Sequence, residues 1–389
     1  MPPHPMKIDV PQDVLDDLYA RIARTRWIDD LGDRGWKYGL DISYMCELAD
    51  YWRTRFDWRK QERALNAMAN FRTQLSNGLD VHFIHERGRG PSPLPLIVTH
   101  GFPDSVARFA KIIPLLTDPA SHGGDAADAF DVIAPSLPGY AFSDEPHADD
   151  DIFHVGDLWN ELMTKELGYK RYVAHGGDWG STVTELLARD HSTHVLGIHL
   201  TDVPFFHAFQ KPDDPTHDEK NYLEAIEEFP QTRGAYALVQ GSEPQVVALG
   251  LNDSPVGLAG WIVEKFLRWS DCDGDVERCF TKDELLTNIM LYWVTETINS
   301  SFRPYYDVAH ASARTWIAQK AKQWVGSSSV PAAFAMFPKD LSSPPREWAE
   351  RFFNVQRWTT MPKGGHFAAL EQPDLLVEDI RAFFRPMRG

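Results

Sequence analysis

Apolar positions along this chain fall into two rhythms, one of helical spacing and one of short unbroken runs. Between residues 8 and 70 the helical rhythm dominates. Leu15, Leu18 and Ile22 share a face behind Pro11, a residue suited to a first helical turn, and Ile42, Met45, Ala49 and Trp52 mark a second helix. The runs F-R-T-Q-L-S and L-D-V-H-F-I-H then flank Asn77-Gly78, whose residues tolerate the positive φ of a tight hairpin. Runs of buried-strand type follow at 94–99, 131–134, 172–174 and 195–200. Helical patterns separate them: Phe109, Ile112, Ile113 and Leu116; residues 153–167; and Val183, Leu186 and Leu187. Such alternation predicts βαβ units and a mainly parallel sheet.

From about 204 to 327 the rhythm changes. Residues 257–269 and 284–298 read as aromatic-rich helices with no strand between them, which predicts a helical insertion. Strand–helix alternation resumes at 332–337 and 358–361 and closes on an amphipathic helix over 375–384. The expected organisation is an N-terminal helical and hairpin extension (1–90), a first part of an α/β core (91–204), a helical cap (205–325) and the rest of the core (326–389).

Composition excludes several function classes. A chain of 389 residues with 43% hydrophobic and 24% charged residues buries a substantial core. A net charge of −17 with no Lys/Arg cluster argues against nucleic-acid binding. Three cysteines (Cys46, Cys272, Cys279) are too few for a disulfide framework, and free thiols in a reducing cytoplasm are expected. Neither a signal peptide nor a membrane span is evident. The acidic stretch 144–151 reads as a solvated loop rather than a cation site.

The stretch most informative about chemistry is 172–184, Y-V-A-H-G-G-D-W-G-S-T-V-T. Strand, glycine-flanked turn and helix with one reactive side chain at the apex is the nucleophile-elbow pattern, and the apex here is Asp178. A carboxylate needs no base to be ionised at neutral pH. It forms esters with electrophilic carbon but hydrolyses amides poorly, so a strained ring or a carbon with a good leaving group is the fitting target. Hydrolysing the ester calls for a base and a group to orient it, expected downstream in the order nucleophile, acid, histidine. M-P-K-G-G-H-F supplies His366 and F-P-K-D supplies Asp340, both at strand ends, with Glu347, Glu371 and Asp374 as neighbouring alternatives for the acid. The backbone N–H of Trp179 and that of Phe102, in the turn H-G-F-P, are the expected oxyanion donors.

The chain resembles the microsomal-type epoxide hydrolases of the α/β-hydrolase fold, nearly end to end. The resemblance is carried by T-R-W, Y-W-R-T-R-F-D-W-R, H-G-F-P, S-L-P-G-Y-A-F-S, G-G-D-W-G-S, L-N-D-S-P-V-G-L-A-G-W-I-V-E-K-F, L-L-T-N-I-M-L-Y-W, S-S-F-R-P-Y-Y and G-G-H-F-A-A. It implies Asp178 as nucleophile, His366 as base, Asp340 as orienting acid, and Tyr236 and Tyr305 as cap tyrosines that donate to the epoxide oxygen. Tyr306, adjacent to Tyr305, is the alternative second donor and, with Phe102 and Trp179, an expected pocket residue. Phe102 stands where the family turn often has Trp, which alters the pocket wall and not the backbone donor.

The expected activity is hydrolysis of an apolar epoxide, with aryl substitution as one option, to a vicinal diol, with water and without metal or organic cofactor. The cap aromatics Trp261, Phe266, Trp269 and Trp293 suggest such a substrate or are simply core. The membrane anchor of mammalian members is not expected. Homodimerisation is left open, as are detoxification and secondary-metabolite biosynthesis. Haloalkane dehalogenation through the same Asp ester is the nearest rival, and a non-catalytic ligand-binding protein on this fold the more distant one.

Overall fold

The computed structural model describes residues 2–32, 34–147, 150–209, 212–310 and 328–388; the expected cap boundary at 325 lies outside them. Nine strands form one sheet among the described residues: β1 (His4–Pro5), β2 (Asn70–Gln74), β3 (Asp80–Glu86), β4 (Leu94–Thr99), β5 (Phe130–Pro135), β6 (Tyr172–Gly176), β7 (Val195–Leu200), β8 (Pro331–Met336) and β9 (Asn354–Thr360). Their order is β1-β2-β3-β5-β4-β6-β7-β8-β9. The pairs from β1 through β3 to β5 are antiparallel, and every later pair is parallel. The β2–β3 hairpin turns at the expected Asn77-Gly78, where Gly78 takes φ 91°.

Both faces of the parallel region are buried, and alternate residues divide between them. Leu96 and Val98 of β4, with Val132 and Ala134 of β5, pack under the helices Ile112–Thr117 and Pro373–Phe384. Ile97 and Ile133 point the other way, into a core shared with the N-terminal segment and the helices that follow β7. Unbroken apolar runs are the sequence signature of strands covered on both sides.

The N-terminal segment folds as Gln12–Ala23, Ile42–Thr54 and Trp58–Asn66, the last two N-capped by Asp41 and Asp57. Leu15, Leu18, Ile22, Met45, Ala49 and Trp52 are buried as their spacing implies, while Ile42 is only half-buried. This segment grips the helices after β7: Tyr51 donates to Asp283, Lys282 pairs with Glu47, and Arg21 pairs with Asp253.

The expected helical insertion between β7 and β8 contains more helices than its rhythm reveals. The described ones are His217–Thr232, Ala235–Ser242, Pro244–Asp253, Pro255–Arg268, Lys282–Thr295, Ile298–Ser301 and Arg303–Ala309. The expected single helix over 284–298 breaks at Glu296, which takes φ 55°, before a new helix starts at Ile298. Residues 153–167, read as one helix, change winding at Leu162, where a wider π-type turn begins. No single helix among the described residues is long and apolar enough to cross a membrane, and the apolar pair Pro244–Asp253 and Pro255–Arg268 is bent by 118°.

Candidate active site

β6 ends at Gly176, and the helix Trp179–Asp190 begins three residues later. Between them Asp178 takes φ 58° and ψ −130°, a conformation that costs a non-glycine residue about 1–3 kcal/mol and persists only where surroundings enforce it. Two neighbours do so. The Asp178 N–H donates to Asp202 Oδ1 at 2.9 Å, and its carbonyl accepts from the Ser181 N–H at 3.0 Å. The helix must also start close behind β4, since a Cβ on Gly180 would lie 2.0 Å from the Thr99 carbonyl.

The side chain of Asp178 therefore projects from the carboxyl end of the sheet towards two other strand ends. Its Oδ1 accepts from the Phe102 N–H at 2.9 Å, in the turn after β4. That approach requires a glycine next door, because a Cβ on Gly101 would sit 2.1 Å from Asp178 Oδ1. Its Oδ2 lies 3.5 Å from His366 Nε2. The Trp179 N–H, first donor of the elbow helix, belongs to the set with no intrahelical acceptor.

On the far side of the imidazole, His366 Nδ1 lies 2.7 Å from Asp340 Oδ1. The Asp340 and His366 loops are stitched together by the Lys339 N–H, which donates to the Gly364 carbonyl at 3.1 Å. Of the other candidate acids, Glu347 bonds to Thr216, Asp374 is exposed, and Glu371 accepts backbone N–H groups instead of the imidazole. Burial by itself disfavours a charged imidazole, but the Asp340 and Asp178 carboxylates outweigh it and raise the pKa of His366 to about 10.

Tyr236 and Tyr305 come from different helices and meet above this group, with ring centroids 5.7 Å apart. Both pack on Phe102, and the Trp179 ring stands nearly perpendicular to that of Tyr305, centroids 5.0 Å apart. Burial, reinforced by the Asp178 charge, holds both phenols above their usual range, so both keep their protons. Tyr306 is not brought here. It is 40% exposed and stacks on His310 at 3.7 Å, because successive helical residues diverge by about 100°. Of the cap aromatics, Trp269 borders the site, 5.3 Å from His366 and 5.0 Å from Tyr236. Trp293 instead lies under Arg21 of the N-terminal segment, as core.

Sequence reasoning missed three supporting groups. Asp202 lies two residues beyond the end of β7, so the strand-end rule that located Asp340 and His366 applied to it as well. Burial, with the Asp340 charge adding to it, pushes its carboxyl up to about 7. Ser181 Oγ is 2.7 Å from both the Asp178 carbonyl and Asp202 Oδ2, and its single proton is donated to one of these two acceptors. The buried pair Asp104–Arg108 was signalled only by its i,i+4 spacing. Asp104 accepts from the Gly101 N–H, while Arg108 donates to the His366 carbonyl at 2.7 Å. One ion pair thus ties the Phe102 turn to the histidine loop.

In the expected acidic loop, Asp144 pairs with Arg72 and Asp151 with His154, and residues 148–149 lie outside the described ones.

Comparison with known proteins agrees with this geometry. Residues 3–109 match the family described as "Epoxide hydrolase N terminus", and residues 95–216 match the "alpha/beta hydrolase fold". A Stigmatella aurantiaca homologue is 42% identical over 99% of this chain and 85% of its own. Epoxide hydrolase 1 of Sus scrofa is 36% identical over 97% of this chain and 88% of its own. The solved structure of Aspergillus niger epoxide hydrolase superposes with a TM-score of 0.84 at 28% identity, covering 99% of this chain and 97% of that one. The chain belongs to the epoxide hydrolases that carry this N-terminal extension on an α/β-hydrolase fold, and it is a hydrolase acting on epoxides.

Proposed function

We propose that the enzyme opens an apolar epoxide, aryl-substituted ones included, through a covalent ester on Asp178. The observation that carries this reading is the position of the Asp178 carboxylate, with Oδ1 on the Phe102 N–H and Oδ2 turned towards His366. Oδ2 attacks a ring carbon and the carbon–oxygen bond of the ring breaks. The leaving alkoxide takes a proton from Tyr236 or Tyr305. Burial keeps both phenols protonated and so leaves them a proton to give, and the alkoxide of the opened ring is basic enough to take it.

The ester then changes the electrostatics beside it. Esterified Asp178 carries no charge, so one of the two carboxylates that favour imidazolium is gone, and the proton of His366 can pass, directly or through water, to the phenolate left by ring opening. Neutral His366, oriented by Asp340, removes a proton from water as the water attacks the ester carbonyl. The oxyanion forms at Oδ1 between the Phe102 and Trp179 N–H groups. Collapse releases the diol and leaves the water oxygen on Asp178. Every group named comes from one chain, so the chemistry needs no partner copy. The helices between β7 and β8 act as the cap, since they bring both phenols over the nucleophile. The three free cysteines suit a reducing cytoplasm.

This division of labour is tested with His366→Gln and excess styrene oxide. Ester formation should continue while its hydrolysis slows by about 10²–10⁴-fold, the usual worth of a positioned base. Intact-mass spectrometry should then show protein plus one substrate mass, located on the Asp178 peptide. Diol formation at the parent rate with no adduct would exclude His366 as the base. Haloalkane dehalogenation has no counterpart for the phenol pair, and chloride release should not be detected.

A further inference from the structure

The segment carrying His366 has no regular structure: it lies between β9 and the short helix Ala368–Glu371. Even so, four successive backbone N–H groups are each held by a specific acceptor. Gly364 donates to Asp271 Oδ2 at 2.9 Å, Gly365 to Glu371 Oε2 at 3.0 Å, His366 to the Trp269 carbonyl at 2.8 Å, and Phe367 to Glu371 Oε1 at 2.9 Å. Glu371 Oε2 also accepts from the Asp271 N–H at 2.9 Å. Trp269 and Asp271 belong to the connection between Pro255–Arg268 and Lys282–Thr295, two cap helices.

A single carboxylate therefore collects three backbone donors, two from the base loop and one from the cap. Burial pushes the Glu371 carboxyl up to about 7 while the backbone N–H groups favour its charged form; in that form its hydrogen bonds are roughly twice as strong as neutral ones, and three converge on one group. The fit is close, because a Cβ on Gly365 would lie 2.4 Å from the Trp269 carbonyl. Glu371 makes no hydrogen bond with the imidazole itself, whose Nδ1 is taken by Asp340. It governs the backbone that aims the ring.

We propose that Glu371 is a positioning residue for the base, clamping the His366 loop to the cap so that ester hydrolysis depends on cap docking. The inference rests on His366 being the base. Its consequence is selective: nucleophilic attack by Asp178 does not need a precisely aimed imidazole, whereas activation of water does. A displacement of about 1 Å in such a group can cost roughly 10²-fold in rate.

The test is Glu371→Gln in the full chain, with styrene oxide as probe and rapid quenching to follow ester formation and hydrolysis separately. Glutamine keeps the size but replaces one acceptor oxygen by an NH₂ group facing backbone donors. Hydrolysis should slow by about tenfold or more with ester formation little changed, so that ester accumulates and kcat and KM fall together. Equal slowing of both steps, or of neither, in a variant with parental circular dichroism would overturn the proposal. Should Glu371→Gln not fold, Asp271→Ala, which removes only the acceptor for Gly364, should slow hydrolysis selectively and by less; its failure to do so would equally overturn it. His366→Gln in parallel separates the two levels. If that variant hydrolyses its ester at the parental rate, the assignment of the base has failed; if it stalls while both clamp variants behave as the parent, only the clamp has failed.

Discussion

At the scale of single residues, the site sets two carboxylates on either side of one imidazole. Their combined charge raises the pKa of His366 despite its burial, and in the proposed route esterification of Asp178 would remove one of the two charges. A titration of the ring by ¹⁵N NMR should therefore find His366 well above the usual histidine range, near 10 in the free enzyme. Asp178→Asn, a neutral stand-in for the ester, should bring that value down. An unchanged value in the variant would show that Asp178 does not tune the base. The sign for stability follows as well: a folded-state pKa raised above the unfolded value gives stabilisation that is complete below about 6.5 and lost as pH rises through about 10.

At the scale of elements, the site is an assembly of strand ends and two helices. The helix Arg303–Ala309 turns Tyr305 towards Tyr236 and Tyr306 towards His310, which favours Tyr305 as the second donor in the proposed route. Tyr305→Phe should slow ester formation, while Tyr306→Phe should leave it at the parental rate; stopped-flow tryptophan fluorescence would report both. A slow Tyr306 variant with an unaffected Tyr305 variant would reverse the assignment. The contrast also shows what a sequence can convey. Asp178 and Asp340 were legible as candidates because each follows a strand whose apolar run announces it, and His366 because it stands in a glycine-bearing loop before the last helices. The helices from His217 to Asp253 were not: Pro230 interrupts one, Val246 and Leu249 lie exposed on another, and neither displays a clean buried stripe. Glu371 appeared in sequence only as a rival acid. Apart from the Cys279 thiol at 4.0 Å, its partners are backbone N–H groups, and no pattern of side chains records those.

At the scale of the whole molecule, one hydrophobic core runs from the N-terminal helices through one face of the sheet into the cap. The extension is therefore part of the enzyme's framework rather than an appendage, and its Trp52 is 1% exposed. Trp52→Ala should destabilise the chain by about 3–5 kcal/mol although it lies outside the site. Urea unfolding of this variant, followed by circular dichroism and by diol production, should show both signals lost together at a lower midpoint than in the parent. Activity surviving the collapse of the N-terminal helices would show that the extension and the site are independent.

The covalent route itself is tested most directly by a single turnover of excess enzyme with styrene oxide in ¹⁸O-labelled water. The diol from that turnover should be unlabelled, with ¹⁸O found afterwards in the Asp178 peptide, because the oxygen delivered to the substrate comes from the carboxylate. Labelled diol in the first turnover would mean direct attack by water and would contradict Asp178 as the nucleophile.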